Sequence, residues 1–159
     1  MTARQRAISG LYLVVWVMLC FSVAGAGSRY TPGEWYESLA KPDWNPPNWV
    51  FAPVWTALYL TMATAAWRVT IKAPVGSRIV PLGLFVLQLL LNGVWSWLFF
   101  GLRNPGLAFV DIVALWVVLL ITVITFWRAD RLAGVLLTPY LAWVSFALAL
   151  NLAIWRLNA

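Results

Sequence analysis

ISGLYLVVWVMLCFSVAGAG, residues 8–27, runs for twenty positions without a charged side chain. Wound as an α-helix at about 1.5 Å per residue, it covers roughly 30 Å, the thickness of a bilayer's hydrocarbon core. Arg4-Gln5-Arg6 before it and Ala24-Gly25-Ala26 at its end are also the flanks of a secretory signal peptide. The apolar run is longer than a usual signal core, so it is read as a retained transmembrane helix.

The same pattern recurs four times downstream. Apolar spans are expected at 49–67, 79–102, 107–127 and 132–155, separated by short polar turns that contain Arg, Asn, Pro or Gly. Pro53 falls in the first turn of the second span, where a missing N–H costs little. Pro139 lies inside the fifth and predicts a kink. Between the first two spans, Ser28 to Asn48 carries four of the nine prolines, which makes a shaped loop rather than a slack one. A short helix is expected within it, around Gly33 to Leu39. The fold class is therefore all-α: one domain, residues 1–159, built as a five-helix transmembrane bundle with a structured Pro/Trp-rich loop. No internal repeat of the transporter kind is evident, and an odd number of spans argues against a simple duplication.

Composition agrees. The chain is 63% hydrophobic and 10% charged, with a mean hydropathy of +0.82, more apolar surface than a soluble domain of 159 residues can hide. The net charge of +6 comes from no basic run and sits at span edges, which suits lipid headgroups and argues against nucleic-acid binding. Five crossings put the termini on opposite sides. With the N-terminus inside, inner segments hold seven Lys/Arg and outer ones four, so the positive-inside rule favours that orientation.

Two absences narrow the chemistry. The chain has no His, which removes His-ligated haem, the usual zinc sites and His-dependent nucleophilic catalysis. Cys20 is alone, so no internal disulfide or cysteine cluster forms. No metal site is expected. Against these stands an excess of twelve Trp, more than interface belts require.

Spacing sorts part of that excess onto helix faces. Gln88, Asn92, Trp95 and Phe99 share a face of the third span; Tyr140, Trp143, Ala147 and Asn151 share one on the fifth; Ala52, Trp55 and Tyr59 do so on the second. Converging, these faces would enclose a cavity with π-walls and few hydrogen-bonding groups, suited to a large, flat, apolar ligand. Packed against one another, they would be seams with amide glue. Asp111 has the same two readings: an intramembrane functional carboxylate, or an anion stabilised one turn into a helix by its dipole. Ser96 and Thr56 have no base nearby in sequence, so neither is read as a nucleophile.

The stretch Trp35-Tyr36-x-x-Leu39-x-Lys41-Pro42-x-Trp44-x-Pro46-Pro47-x-Trp49-Val50-x-x-Pro53-Val54-Trp55 resembles the translocator protein, or tryptophan-rich sensory protein (TspO/MBR), family. Further matches are Pro81-Leu82-Gly83-Leu84, Gln88-x-x-x-Asn92-x-x-Trp95-x-x-x-Phe99-Phe100-Gly101 and Pro139-Tyr140-Leu141-Ala142-Trp143, so nearly the whole chain is covered. The resemblance implies five tightly packed helices, commonly homodimeric, with a pocket beneath the first loop that takes porphyrins and, in animals, sterols and synthetic aromatic compounds. The positions it implies for the pocket are Ala26, Trp49, Trp55, Asn92, Trp95, Phe99, Phe100, Trp143 and Ala147, with Tyr140 on the same stripe. Leu152 stands where the animal sterol motif has a Tyr ahead of the basic residue, here Arg156, which favours a tetrapyrrole over a sterol.

On this reading the protein is a membrane receptor or sensor that binds porphyrin or haem and regulates or moves it, with no cofactor required. Arg29 and Lys41, near the pocket mouth, are the candidates for the ligand's carboxylates. The competing reading is an enzyme that degrades porphyrin with light and oxygen, for which Trp55 and Trp143 are the candidate residues. A transporter ranks below both, because no broken-helix pair or coupling-ion cluster is evident.

Overall fold

The computed structural model describes residues 2–30 and 32–159; Thr31, within the expected loop, and Met1 lie outside them. The described residues form five long helices and one short one: α1 (Ala3–Gly27), α2 (Glu34–Ser38), α3 (Phe51–Lys72), α4 (Ile79–Ser96), α5 (Pro105–Ala129) and α6 (Arg131–Leu157). A 3-10 turn, Asn48–Val50, leads into α3, and a π-helical stretch, Trp97–Gly101, extends α4. Five spans are long and apolar enough to cross a membrane. The chain is an integral, multi-pass membrane protein.

The helices outrun the apolar runs that predict them because polar residues cap them. Thr2 and Gln5 form a capping box, so α1 begins at Ala3 rather than Ile8. The Asn104 side chain accepts from Leu107 N at 3.0 Å and Pro105 occupies the first turn, so α5 starts two residues early. Asp130 accepts from Ala133 N at 2.8 Å and opens α6. Helix α3 continues past Trp67 through Lys72 and stops at Ala73, whose extended backbone is what a following proline requires. The short loop helix is α2, inside the expected range. Pro139 does not interrupt α6, which is helical on both sides of it.

Around the bundle, α1 packs on α3, α3 on α6, α6 on α5, α5 on α4, and α4 returns to α1. Two ends result. One holds the start of α1, the α3–α4 connection and the α5–α6 turn; the other holds the loop, the α4–α5 turn and the end of α6.

The end opposite the loop is solid. Ala63, Ala65 and Ala66 are fully buried, and such small side chains let helix backbones approach closely. Trp16 donates to Thr70 Oγ1 at 2.9 Å and Trp67 donates to the Ser9 carbonyl at 2.8 Å, two reciprocal staples between α1 and α3. Phe85 stacks on Phe126 with centroids 5.7 Å apart, and Trp16 meets Phe85 edge-on. Arg68 and Asp130 close this end with a two-point ion pair at 2.8 and 2.9 Å. Part of the tryptophan excess is therefore interhelical hydrogen bonding, which lipid favours because it offers no competing water.

Candidate functional site

At the loop end the same helices spread apart, and aromatic side chains line a cavity of about 500 Å³. That volume falls within the range of small-molecule sites. The predicted faces on α3, α4 and α6 converge on it, so these stripes are a cavity wall and not only packing seams.

Trp55 is the hinge of one wall. It stacks on Tyr59 with centroids 5.4 Å apart and stands perpendicular to Trp143 at 6.5 Å. Trp143 extends the wall through Phe51 and Phe146, at 5.9 and 5.5 Å. On the facing wall Trp95 stacks on Phe99 at 5.1 Å and meets Phe100 edge-on. Ala147 adds no bulk beside Trp143, which leaves room between the two walls.

The π-helical stretch explains how Phe99 and Phe100 both reach the cavity. Leu102 N bonds to Trp97 O at 2.8 Å, five residues back, which adds a residue to that turn. Gly101 makes the bulge possible. A Cβ there would lie 2.9 Å from ring carbons of both Tyr30 and Trp97.

Polar groups are few and mostly engaged. Tyr59 OH donates to Asn92 Oδ1 at 2.6 Å. Trp95 Nε1 donates to Asn151 Oδ1 at 2.9 Å, and Asn151 Nδ2 donates to the Pro105 carbonyl at 2.8 Å. Thr56 Oγ1 bonds back to Ala52 O in its own helix, which leaves it no activated nucleophilic role. No charged side chain is among the described lining residues, and no group of three or more His, Cys, Asp or Glu among them could hold a metal. The cavity can stack on a flat ring and offer it a few neutral hydrogen bonds; it has no paired acid and base.

The loop forms a lid. Tyr36, buried on α2, packs edge-on against Phe99 and Phe100, and Trp35 reaches Phe99. Trp44 meets Phe146 edge-on, with centroids 5.7 Å apart. Burial pushes the Tyr36 phenol above its ordinary pKa, opposed by its bond to Asn45.

Of the expected residues, Trp55, Asn92, Trp95, Phe99, Phe100, Trp143 and Ala147 line the cavity. The others lie off its wall. Trp49 sits in the 3-10 turn and is 75% exposed. Ala26 is exposed on α1, whose lining residues Phe21, Ala24, Gly27 and Ser28 form a face it does not share. Tyr140 is fully buried behind Trp55. Arg29 is exposed and off the wall. Lys41 spends its ammonium on the Glu37 and Leu39 carbonyls and sits 4.8 Å over the Tyr36 ring, so it braces the lid. Asp111 is buried on α5 next in sequence to the lining residue Ile112 and is not itself on the wall.

Lining residues not singled out as site members include Tyr36, Tyr59, Phe146, Leu150 and Asn151. Phe146 and Leu150 lie three and seven residues beyond Trp143, so helical spacing could have found them. Tyr59 and Asn151 were already on their stripes. Tyr36 had no such signal, because its place depends on how the loop folds back.

The chain is 45% identical over 152 residues to the tryptophan-rich protein TspO of Chlorobaculum tepidum, covering 93% of this chain and 96% of that one. Protein CrtK of Rhodobacter capsulatus is 38% identical over 146 residues, 91% of each. The human translocator protein is 41% identical over 137 residues, 83% of this chain and 81% of that protein. The family model described as TspO/MBR matches residues 13–156, and the chain belongs to the TspO/MBR family.

Proposed function

We propose that this protein is a membrane receptor or sensor that binds a tetrapyrrole in the aromatic cavity beneath the lid. One observation carries the reading: three indoles, Trp55, Trp95 and Trp143, stand on opposing walls of an uncharged cavity of about 500 Å³. A porphyrin offers the flat aromatic body such walls stack on. A relative from Cereibacter sphaeroides named tryptophan-rich sensory protein, 39% identical over 139 residues, supports the sensory part.

Because no Lys or Arg is among the described lining residues, affinity comes from the ring, and the propionates stay at the mouth in water. Protoporphyrin added to the detergent-solubilised protein should quench Trp fluorescence saturably. A porphyrin without propionates should bind within a fewfold as tightly. The pair Trp55→Ala and Trp143→Ala should abolish saturation; quenching unchanged in that double variant would overturn the assignment.

The homodimer and the inward N-terminus belong to the same proposal. Native mass spectrometry in mild detergent tests the first. Labelling of single cysteines placed at either end of α1 in intact cells tests the second.

A further inference from the structure

The lid, residues 32–47, meets the helices mainly through aromatic faces and edges. Such contacts hold area rather than direction, and they can slide. Among the described residues, one side chain hydrogen-bonds the lid to the end of a membrane-spanning helix: that of Asn158, the residue that caps α6 and stands next to last in the chain. Asn158 Oδ1 accepts from Ala40 N at 2.9 Å, and Asn158 Nδ2 donates to Ala40 O at 2.9 Å. The other Nδ2 proton goes to Ile154 O at 2.8 Å, in the last turn of α6.

The local sequence prepares both partners. Leu39 ends α2 in an extended conformation, and Lys41 precedes Pro42, which disfavours a helical backbone there. Ala40 therefore shows its N–H and C=O side by side, as a strand edge does. A primary amide matches that pair with its own coplanar donor and acceptor, which neither a carboxylate nor an ammonium can do. The helix that carries the amide also carries Trp143, Ala147 and Ile154 of the cavity wall. Lid and wall are thus keyed together at one point.

We infer that Asn158 is the latch of the lid, a positioning residue that sets how often the cavity opens to water. The inference rests on the reading of the cavity as a ligand site only for its kinetic consequence. Lid opening precedes both entry and departure of a ligand on this route, and neither Asn158 nor Ala40 is among the described lining residues, so the joint is made by groups off the cavity wall. Loosening it accelerates both steps and leaves their ratio nearly fixed.

Three measurements on the full chain in detergent test this. Hydrogen exchange of the ligand-free protein should show the Ala40 amide exchanging roughly tenfold faster in Asn158→Ala, as expected for losing bonds of ordinary net strength. Asn158→Gln should restore part of the protection. A cysteine placed by Ala147→Cys, in a Cys20→Ala background, should react several-fold faster with a membrane-impermeant thiol reagent once Asn158→Ala is added. Protoporphyrin association and dissociation should both speed up, with Kd changed less than about threefold. Unchanged exchange at Ala40, or faster exchange without faster labelling at position 147, would overturn the latch. If the wild-type protein shows no saturable porphyrin binding, the tetrapyrrole reading fails while the exchange and labelling results still decide the latch.

Discussion

Trp95 and Asn151 are joined across the bundle: the indole N–H on α4 donates to the amide oxygen on α6 at 2.9 Å. Asn151 then reaches α5 through the Pro105 carbonyl at 2.8 Å. One buried amide thus holds three helices, and it fixes the indole that Phe99 stacks upon.

That geometry predicts an outsized effect for Asn151→Leu. The substitution keeps bulk but leaves the part-buried Trp95 N–H without this partner, at a cost of about 1–3 kcal/mol for a group left unsatisfied, while the Pro105 carbonyl, in the first turn of α5, keeps its own helical bond. Thermal unfolding in detergent should show a clear loss of stability. Trp95→Phe should lessen the further loss from Asn151→Leu, because the indole donor is then gone; strictly additive losses would mean the bond contributes nothing. Porphyrin affinity should fall in Asn151→Leu as well, since Trp95 loses its fixed orientation.

How much of this was legible beforehand depends on what kind of signal each residue sends. The five spans were readable because hydropathy adds over some twenty positions. Their ends were not, since Thr2, Asn104 and Asp130 extend helices by capping, beyond the apolar runs. On the stripes, 3-4-4 spacing finds a face but not the neighbour it meets. Trp143 and Tyr140 share a face, yet the first lines the cavity and the second packs behind Trp55. Trp49 shows a different limit, for a 3-10 turn ahead of α3 aims it away from the site. Lys41 looked like an anion contact by charge alone; its place over Tyr36 follows from the fold of the loop.

The glycines separate close contact from mere flexibility. At Gly134 a Cβ would lie 2.8 Å from the Trp127 Cα, a backbone atom that cannot rotate away. Gly134→Ala should therefore destabilise the α5–α6 pair. Gly101→Ala meets the Tyr30 and Trp97 rings at 2.9 Å and should disturb the π-helical stretch, weakening porphyrin binding more than stability. Gly83 has open space around it, so Gly83→Ala should be neutral or stabilise by about 0.5–1 kcal/mol through helix propensity. Thermal unfolding and porphyrin titration on the three variants would check the order, and equal losses for all three would contradict it.

At the opposite end, pH separates the ion pair from the cap. The Arg68 guanidinium holds the Asp130 carboxyl below its ordinary value of 3.8, with the Ala133 N–H assisting and partial burial opposing. A lowered folded-state pKa means the stabilisation is complete above the unfolded value and fades as pH falls through the folded one. Asp130→Asn keeps an oxygen for Ala133 N but removes the charge. Wild type should thus be the more stable at pH 7, with the gap closing only below about pH 4, the unfolded value. A gap that persisted undiminished to pH 2 would assign the effect to something other than ionisation.

Light tests whether the cavity only holds its ligand. A porphyrin stacked against Trp55 and Trp143 would have two indoles at hand and no charged side chain among the described lining residues to move a proton. Any reaction there would have to be oxidative and driven by the excited ring with oxygen, rather than by acid and base. The receptor reading therefore expects no change in the dark. Under illumination it expects the bound porphyrin's absorption to decay with the course of the same porphyrin in protein-free detergent. A faster decay that needs oxygen and disappears in Trp55→Phe with Trp143→Phe, while binding persists, would instead make these two indoles participants in ring degradation. The phenylalanine variants matter here, because they keep an aromatic wall and so separate loss of chemistry from loss of the ligand.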